Sequence, residues 1–206
     1  MRTLDAATRI AAEPLRTSGL PAVVLFTEGV TTDAVHTLEK MGFENEGTMP
    51  AMAVDIDAMG DTALPAGYTW ARVGEGSEGN AWADALAEGY EIPLGLARLF
   101  SPVALGADMA GDAAIQFFAV LKNGKPVATS LFFLADGLAG IYSVSTLPAE
   151  RGRGLGAHAT AQALREARQL GYRVGVLQSS SAGHSVYQRL GFQDLAEVPM
   201  FVQMPG

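Results

Sequence analysis

Residues Ser143 to Leu170 read SVSTLPAERGRGLGAHATAQALREARQL. They combine the end of a strand, a glycine-rich turn and a helix. The turn is Arg151-Gly152-Arg153-Gly154-Leu155-Gly156. Glycine at 152, 154 and 156 leaves no Cβ to keep a ligand away and lets successive backbone N–H groups turn to one side. Leu155, Ala159, Ala163, Ala167 and Leu170 form an apolar stripe on the helix that follows. The first N–H groups of that helix lack intrahelical partners and carry the positive end of its dipole. Arg151 and Arg153 add full charges. The sum is an anion site suited to a phosphate or pyrophosphate. The six residues alone fit a bare strand-to-helix connection equally well. They match neither the G-x-x-x-x-G-K-[ST] phosphate loop nor the G-x-G-x-x-G dinucleotide turn.

Working outward, Ser180 to Phe192 reads SSAGHSVYQRLGF, a helix carrying Tyr187 and closed by Gly191-Phe192. Upstream, Asn123-Gly124 and Asp136-Gly137 are hairpin signals. They divide residues 114–146 into three antiparallel strands, the last being Leu138 to Thr146. Tyr68 to Val73 reads as a further strand and Asn80 to Gly89 as a helix, with a short helix at Leu94 to Phe100 after Pro93. The first 60 residues read as helix 3–17 (Ala6, Ile10, Ala11 and Leu15 on its stripe, Gly19 as its stop), strand Ala22–Phe26, helix Thr32–Met41 and strand Met49–Ile56.

Arg-x-x-Gly-x-Gly opening a helix after a strand, followed by a helix with tyrosine and Gly-Phe, resembles the GNAT family of N-acetyltransferases. The resemblance covers roughly residues 66–206. It implies an α/β (α+β) fold with a mixed, mostly antiparallel sheet flanked by helices. It also implies acetyl-CoA as co-substrate, an amine acceptor (small molecule or peptide) and direct attack in a ternary complex. On this resemblance the turn, Arg151, Gly152, Arg153, Gly154, Leu155, Gly156 and Ala157, holds the pyrophosphate. Val144, Ser145 and Thr146 pair with the pantetheine arm and supply an oxyanion donor. Tyr187 is the general acid toward the leaving thiolate. Ser180 stands where many members carry asparagine; its shorter side chain reaches less far toward the arm, and it also suits the cap of the next helix. Trp70 and Trp82 read first as packing residues, and Trp82 or Tyr90 can touch the acceptor. No general base stands out: Glu88 and Glu91 flank the predicted pocket helices and Glu150 lies beside the turn, but each reads first as a solvated surface group, and a water can serve as base or a neutral amine need none. The rival from another class is a CoA-binding regulatory or structural protein without turnover.

One internal parallel stands apart. Strand AVVLF and the helix to Met41-Gly42-Phe43 match strand VGVLQ and the helix to Leu190-Gly191-Phe192, with Pro50 and Pro199 at the same offset. Leu38 falls where Tyr187 stands, and no glycine turn precedes the first copy. Residues 1–60 are therefore expected to be a degenerate half-repeat without CoA chemistry, beside an acetyltransferase domain at 66–206.

The chain has 206 residues, 49% hydrophobic, with a net charge of −8 and no cysteine. No disulfide or thiolate chemistry is available. The acidic balance argues against a nucleic-acid binder and mildly favours a cationic substrate. His36, His158 and His184 are scattered, so no metal is expected. No apolar run suits a membrane span or a signal peptide, and a cytoplasmic protein is expected. Exposed strand edges of such sheets often pair, which leaves a homodimer open.

Overall fold

The computed structural model describes residues 8–10, 12–14, 21–26, 30–107, 109 and 111–204. Of the helix expected over 3–17, Ala6, Ala11, Leu15 and the Gly19 stop lie outside the described residues. Residues 8–10 and 12–14 are helical, and their buried positions are Thr8 and Ala12, whereas Ile10 is exposed.

The chain divides into two compact units. The smaller holds residues 1–51, 178–181 and 195–206. Its strand β1 (Ala22–Leu25) is followed by helix α1 (Thr32–Lys40), which Thr31 caps by accepting the Ala34 N–H. Asp33 in the first turn and Lys40 in the last complement the helix dipole. Strand β2 (Glu44–Asp55) begins well before the expected Met49, so Pro50 lies inside it. The lost N–H at Pro50 leaves its carbonyl in use, accepting from Ser179. Within this unit the strand order is β1-β8-β2, β8 being Gln193–Gln203, with β1 and β8 antiparallel. Pro199 also lies inside its strand, and its carbonyl accepts from Phe26. Ala22, Leu38, Phe43 and Phe201 form the core of this unit.

The larger unit holds residues 52–177 and 182–194. Strand β3 (Tyr68–Val73) leads to helix α2 (Gly76–Tyr90), longer than expected at its start, then α3 (Leu94–Leu99) and α4 (Pro102–Leu105). Strands β4 (Ile115–Lys122), β5 (Lys125–Ala135) and β6 (Leu138–Thr146) form the meander. Its turns place Asn123-Gly124 and Asp136-Gly137 at positive φ, as the sequence requires. Helix α5 (Leu155–Gln169), strand β7 (Val174–Gln178) and helix α6 (His184–Leu190) complete it. The order in this unit is β2-β7-β6-β5-β4-β3; β3 to β6 pair antiparallel and β6 meets β7 in parallel.

The near-continuous apolar runs of β4 and β5 reflect burial on both faces. Phe117 and Leu131 pack with Trp82 and Leu86 of α2, while Phe118 and Phe132 pack with Ala163 and Leu164 of α5. Trp82 is fully buried and donates its indole N–H to the Phe118 carbonyl at 2.8 Å, so it is a packing residue and not a wall of an acceptor pocket. On α5, Leu155, Ala159, Ala163 and Ala167 are buried as the stripe demands, but Leu170 is 36% exposed at its end.

The two Gly-Phe corners share one hydrogen-bond pattern. Gly42 and Phe43 donate to Glu39 and Leu38; Gly191 and Phe192 donate to Gln188 and Tyr187. Gly42 and Gly191 both have positive φ, 87° and 100°, as helix C-terminal glycines do.

Candidate active site

Strand β6 changes character at Ser143. Its pairing with β5 shifts register between Thr129 and Leu131, and Ser143 adopts a left-handed φ of 53°. That is a β-bulge, which bends the strand. Thr129 Oγ1 fills the gap, 2.7 Å from the Ser143 carbonyl and 2.7 Å from Ser145 Oγ. On its other edge β6 pairs with β7 only from Leu138 to Gly140. Val144, Ser145 and Thr146 thus continue along an edge that β7 no longer covers.

The chain then passes through a 3₁₀ turn (Pro148–Glu150) into the glycine-rich turn. Gly152 and Gly154 take φ of 76° and 78°, values a side chain would strain, and a Cβ on either would meet open space. The first N–H of α5 with a backbone acceptor is that of His158, which donates to Gly154. No side chain caps the helix. Among the described residues, none accepts from the N–H groups of Gly152 to Ala157. This row lies at the positive end of a 15-residue helix, the arrangement that receives an anion. Gly156 is already helical, and a Cβ there would lie 3.4 Å from Thr146 Oγ1, which joins the turn to the strand end.

Both arginines of the turn have protein partners. Arg151 Nη2 donates to the Gly89 carbonyl at 2.8 Å and to Glu91 Oε1 at 3.1 Å, and its Nε donates to the Thr146 carbonyl at 3.3 Å. Arg153 pairs with Glu150 at 3.3 Å. Glu150, expected on the surface, is 9% exposed and is the hub of a cluster. It also binds Lys122 Nζ at 2.6 Å and accepts from the Tyr68 hydroxyl. Hydrogen bonds from Lys122 and Tyr68 hold its carboxyl below the usual carboxylate range. Glu91 and Glu150 are therefore both engaged, and neither is the unpartnered carboxylate a general base would be.

Tyr187 packs against Phe192, ring centroids 5.7 Å apart, at the edge of the α5–α6 core. Burial pushes its phenol up to about 12, against a smaller lowering by a hydrogen bond with Thr160. Tyr90, at the end of α2, leaves 47% of its surface open. Its phenol oxygen is nevertheless desolvated, and that burial, with the Tyr187 phenol nearby, raises its pKa. The fold thus brings Tyr187, Tyr90, Thr160 and the turn into one unit, although Tyr90 and Tyr187 are 97 residues apart in sequence.

The remaining candidates fall elsewhere. Ser180 lies in the smaller unit and is exposed; the cap of α6 is Gly183, so Ser180 is not that cap. His158 is not a surface histidine. It is 7% exposed, with Nδ1 3.3 Å from Thr62 Oγ1 and its ring edge-on to Trp70, and burial lowers its pKa. His184 pairs with Asp194 at 2.7 Å. Among the described residues no three His, Asp or Glu side chains converge as metal ligands would, and no helix is long and apolar enough to cross a membrane. A cavity of about 300 Å³ lies at the far end of α5, lined by Trp70, Arg72, Gln116, Phe118 and Glu166 among others; neither the turn nor either tyrosine reaches it.

Sequence reasoning missed Thr129 and Gly89, and read Glu150 as a solvated surface carboxylate where it is buried in an ion-pair cluster. Thr129-Ser130 inside an apolar strand was the one local signal for the bulge. A Cβ on Gly89 would fall 2.7 Å from Ser145 Oγ, a contact between distant residues that no local pattern shows.

A GCN5-related N-acetyltransferase from Kribbella flavida superposes with a TM-score of 0.67 at 25% identity, over 98% of this chain and 77% of that one. One from Sphaerobacter thermophilus gives 0.64 at 17%, over 90% and 61%. A tandem GNAT protein from the clavulanic acid biosynthesis pathway gives 0.57 at 17%, over 91% and 64%. The last two show the fold alone. No curated protein matches the sequence. The sequence model of the Acetyltransferase (GNAT) family matches residues 81–192, more than half of the chain, and takes in most of α2, the bulged strand, the turn and Tyr187 together. On that match and that fold, the chain belongs to the GNAT acetyltransferase family.

Proposed function

We propose that this protein is a cytoplasmic enzyme that moves an acetyl group from acetyl-CoA to an amine, of a small molecule or a peptide, by direct attack in a ternary complex. The observation that carries this reading is the row of N–H groups from Gly152 to Ala157 without protein acceptors, continuous with the uncovered edge of Val144 to Thr146. The row suits a pyrophosphate, and the edge suits the amides of a pantetheine arm added as a strand would be.

In this reading a neutral amine attacks the thioester carbonyl. The new C–N bond forms as the C=O pair moves to oxygen, where a backbone N–H of Val144 to Thr146 receives it. Such a donor contributes roughly 3–4 kcal/mol to barrier lowering. The C–S bond then breaks and the sulfur leaves as thiolate, while the nitrogen gives its surplus proton to water. Tyr187 meets the thiolate. With its phenol near 12 and a thiol near 8.5, full proton transfer is uphill by about 3.5 units, or ~5 kcal/mol. Tyr187 therefore works as a neutral hydrogen-bond donor to sulfur. The engagement of Glu91 and Glu150 favours one second reading, a CoA-binding protein without turnover; an assay for thioester cleavage over a panel of amines separates the two.

We also read residues 1–60 as a degenerate half-repeat. The shared Gly-Phe corner supports this, with Leu38 in the position of Tyr187, and a tandem arrangement occurs in a structural neighbour.

Calorimetric titration with acetyl-CoA tests the proposal. Micromolar binding to the wild type, lost in Gly154→Val, is the expected result. Gly154 sits at φ 78°, where a β-branched side chain would distort the turn. A wild type that does not bind acetyl-CoA removes the reading.

A further inference from the structure

Arg151 occupies the first position of the turn motif, where the resemblance assigns it to the pyrophosphate. Its hydrogen bonds lead elsewhere. One guanidinium joins the Gly89 carbonyl, the Glu91 carboxylate and the Thr146 carbonyl, and so ties the end of α2 to the end of β6. Cationic side chains are favoured at a helix C-terminus, where carbonyls carry partial negative charge.

The corner it holds is under constraint. Gly89 is pressed against Ser145 so closely that no Cβ fits. Glu91 closes the helix in the left-handed region at φ 57°, a conformation that surrounding structure must impose on a non-glycine residue. Tyr90 lies between these two in sequence, and its phenol is within electrostatic reach of Tyr187.

We propose that Arg151 is a positioning residue: it fixes the Gly89–Glu91 corner against β6 and thereby holds the Tyr90 phenol within electrostatic reach of Tyr187, while the backbone of the turn alone receives the anion. The role of the two phenols in turnover rests on the acyltransferase reading; the positioning does not. A displacement of about 1 Å in such a pair is enough to cost on the order of a hundredfold in rate.

The test compares Arg151→Ala and Arg151→Lys with Tyr90→Phe in the full chain. Hydrogen–deuterium exchange of residues 86–92 is expected to rise about tenfold or more in Arg151→Ala, with residues 155–169 unchanged. Arg151→Lys is expected to restore part of the protection, since an ammonium can still donate to Gly89. With ¹³C-labelled tyrosine rings, the Tyr187 resonance should move in Arg151→Ala in the direction it moves in Tyr90→Phe. Acetyl-CoA should bind Arg151→Ala within about threefold of wild type, with kcat for acetyl transfer falling much more than the KM for acetyl-CoA rises. Unchanged exchange over 86–92, or an unmoved Tyr187 resonance, overturns the proposal. So does a tenfold loss of acetyl-CoA affinity in Arg151→Ala that Arg151→Lys restores. If the wild type binds no acetyl-CoA, the acyltransferase reading falls and the exchange and resonance measurements still decide the positioning.

Discussion

Tyr187, partly buried at the edge of the larger unit's core, and His158, buried within it, are both titratable side chains drawn out of water, with opposite consequences for pH. Desolvation keeps the Tyr187 phenol neutral far above neutral pH. Replacing it by phenylalanine removes one hydroxyl and little packing. Tyr187→Phe, which removes one hydrogen bond to a charged sulfur, is expected to lower kcat by roughly 10–10²-fold, with acetyl-CoA affinity and melting temperature near wild type; steady-state kinetics and calorimetry check it. Burial lowers the His158 pKa below its ordinary 6.5. Below that value the unfolded chain binds a proton that the native state resists. Its contribution to stability is present above about 6.5 and lost as pH falls. Urea melts at pH 7 and pH 5 should show stability falling, and His158→Gln should reduce the difference. Glu150 acts in the same sense further into acid, because its folded pKa is also lowered. These surroundings were not legible beforehand. His158 stands in a turn whose pattern suits a surface position, and only the arrival of Thr62 and Trp70 from β3 and the segment before it encloses the ring.

Among the elements, those set by local chemistry read true. Asn123-Gly124 and Asp136-Gly137 tolerate positive φ, so the hairpins were visible. β3, β6 and β7 begin and end where their apolar runs do. What escaped was whatever one element does to another. The bulge at Ser143 arises from a register shift against β5, and Arg151 chooses partners 60 and 62 residues away. The α2–β6 contact is similarly invisible in sequence, yet it admits a sharp test. Gly89→Ala places a Cβ 2.8 Å from Ser145 Cβ. Overpacking of this kind costs about 1–3 kcal/mol. Chemical denaturation should show that loss, and the displaced end of β6 should weaken acetyl-CoA binding as well.

For the whole molecule, the sequence suggested a boundary near residues 60–66, and the chain passes from one compact unit to the other at residues 51–52, 177–178, 181–182 and 194–195. The difference has energetic content. Met52, Val54 and Ile56 belong to the core that contains Leu164, Leu177 and Phe192. A fragment starting at residue 66 loses all three, and each large-to-small loss in a core costs about 2–5 kcal/mol, against a total stability of roughly 5–15 kcal/mol. The 66–206 fragment is therefore expected to lack a cooperative unfolding transition by circular dichroism, and a soluble, sharply melting fragment would contradict this.

The pairing of β1 with β8, Ala22 opposite Gln203 and Leu25 opposite Met200, bears on how the chain is made. At a ribosome adding roughly 5–20 residues per second, β1 emerges on the order of 10–40 s before its partner strand. Through that interval AVVL is an unpaired apolar segment, a natural binding site for a chaperone. A nonsense codon just upstream of β8 would leave it so permanently.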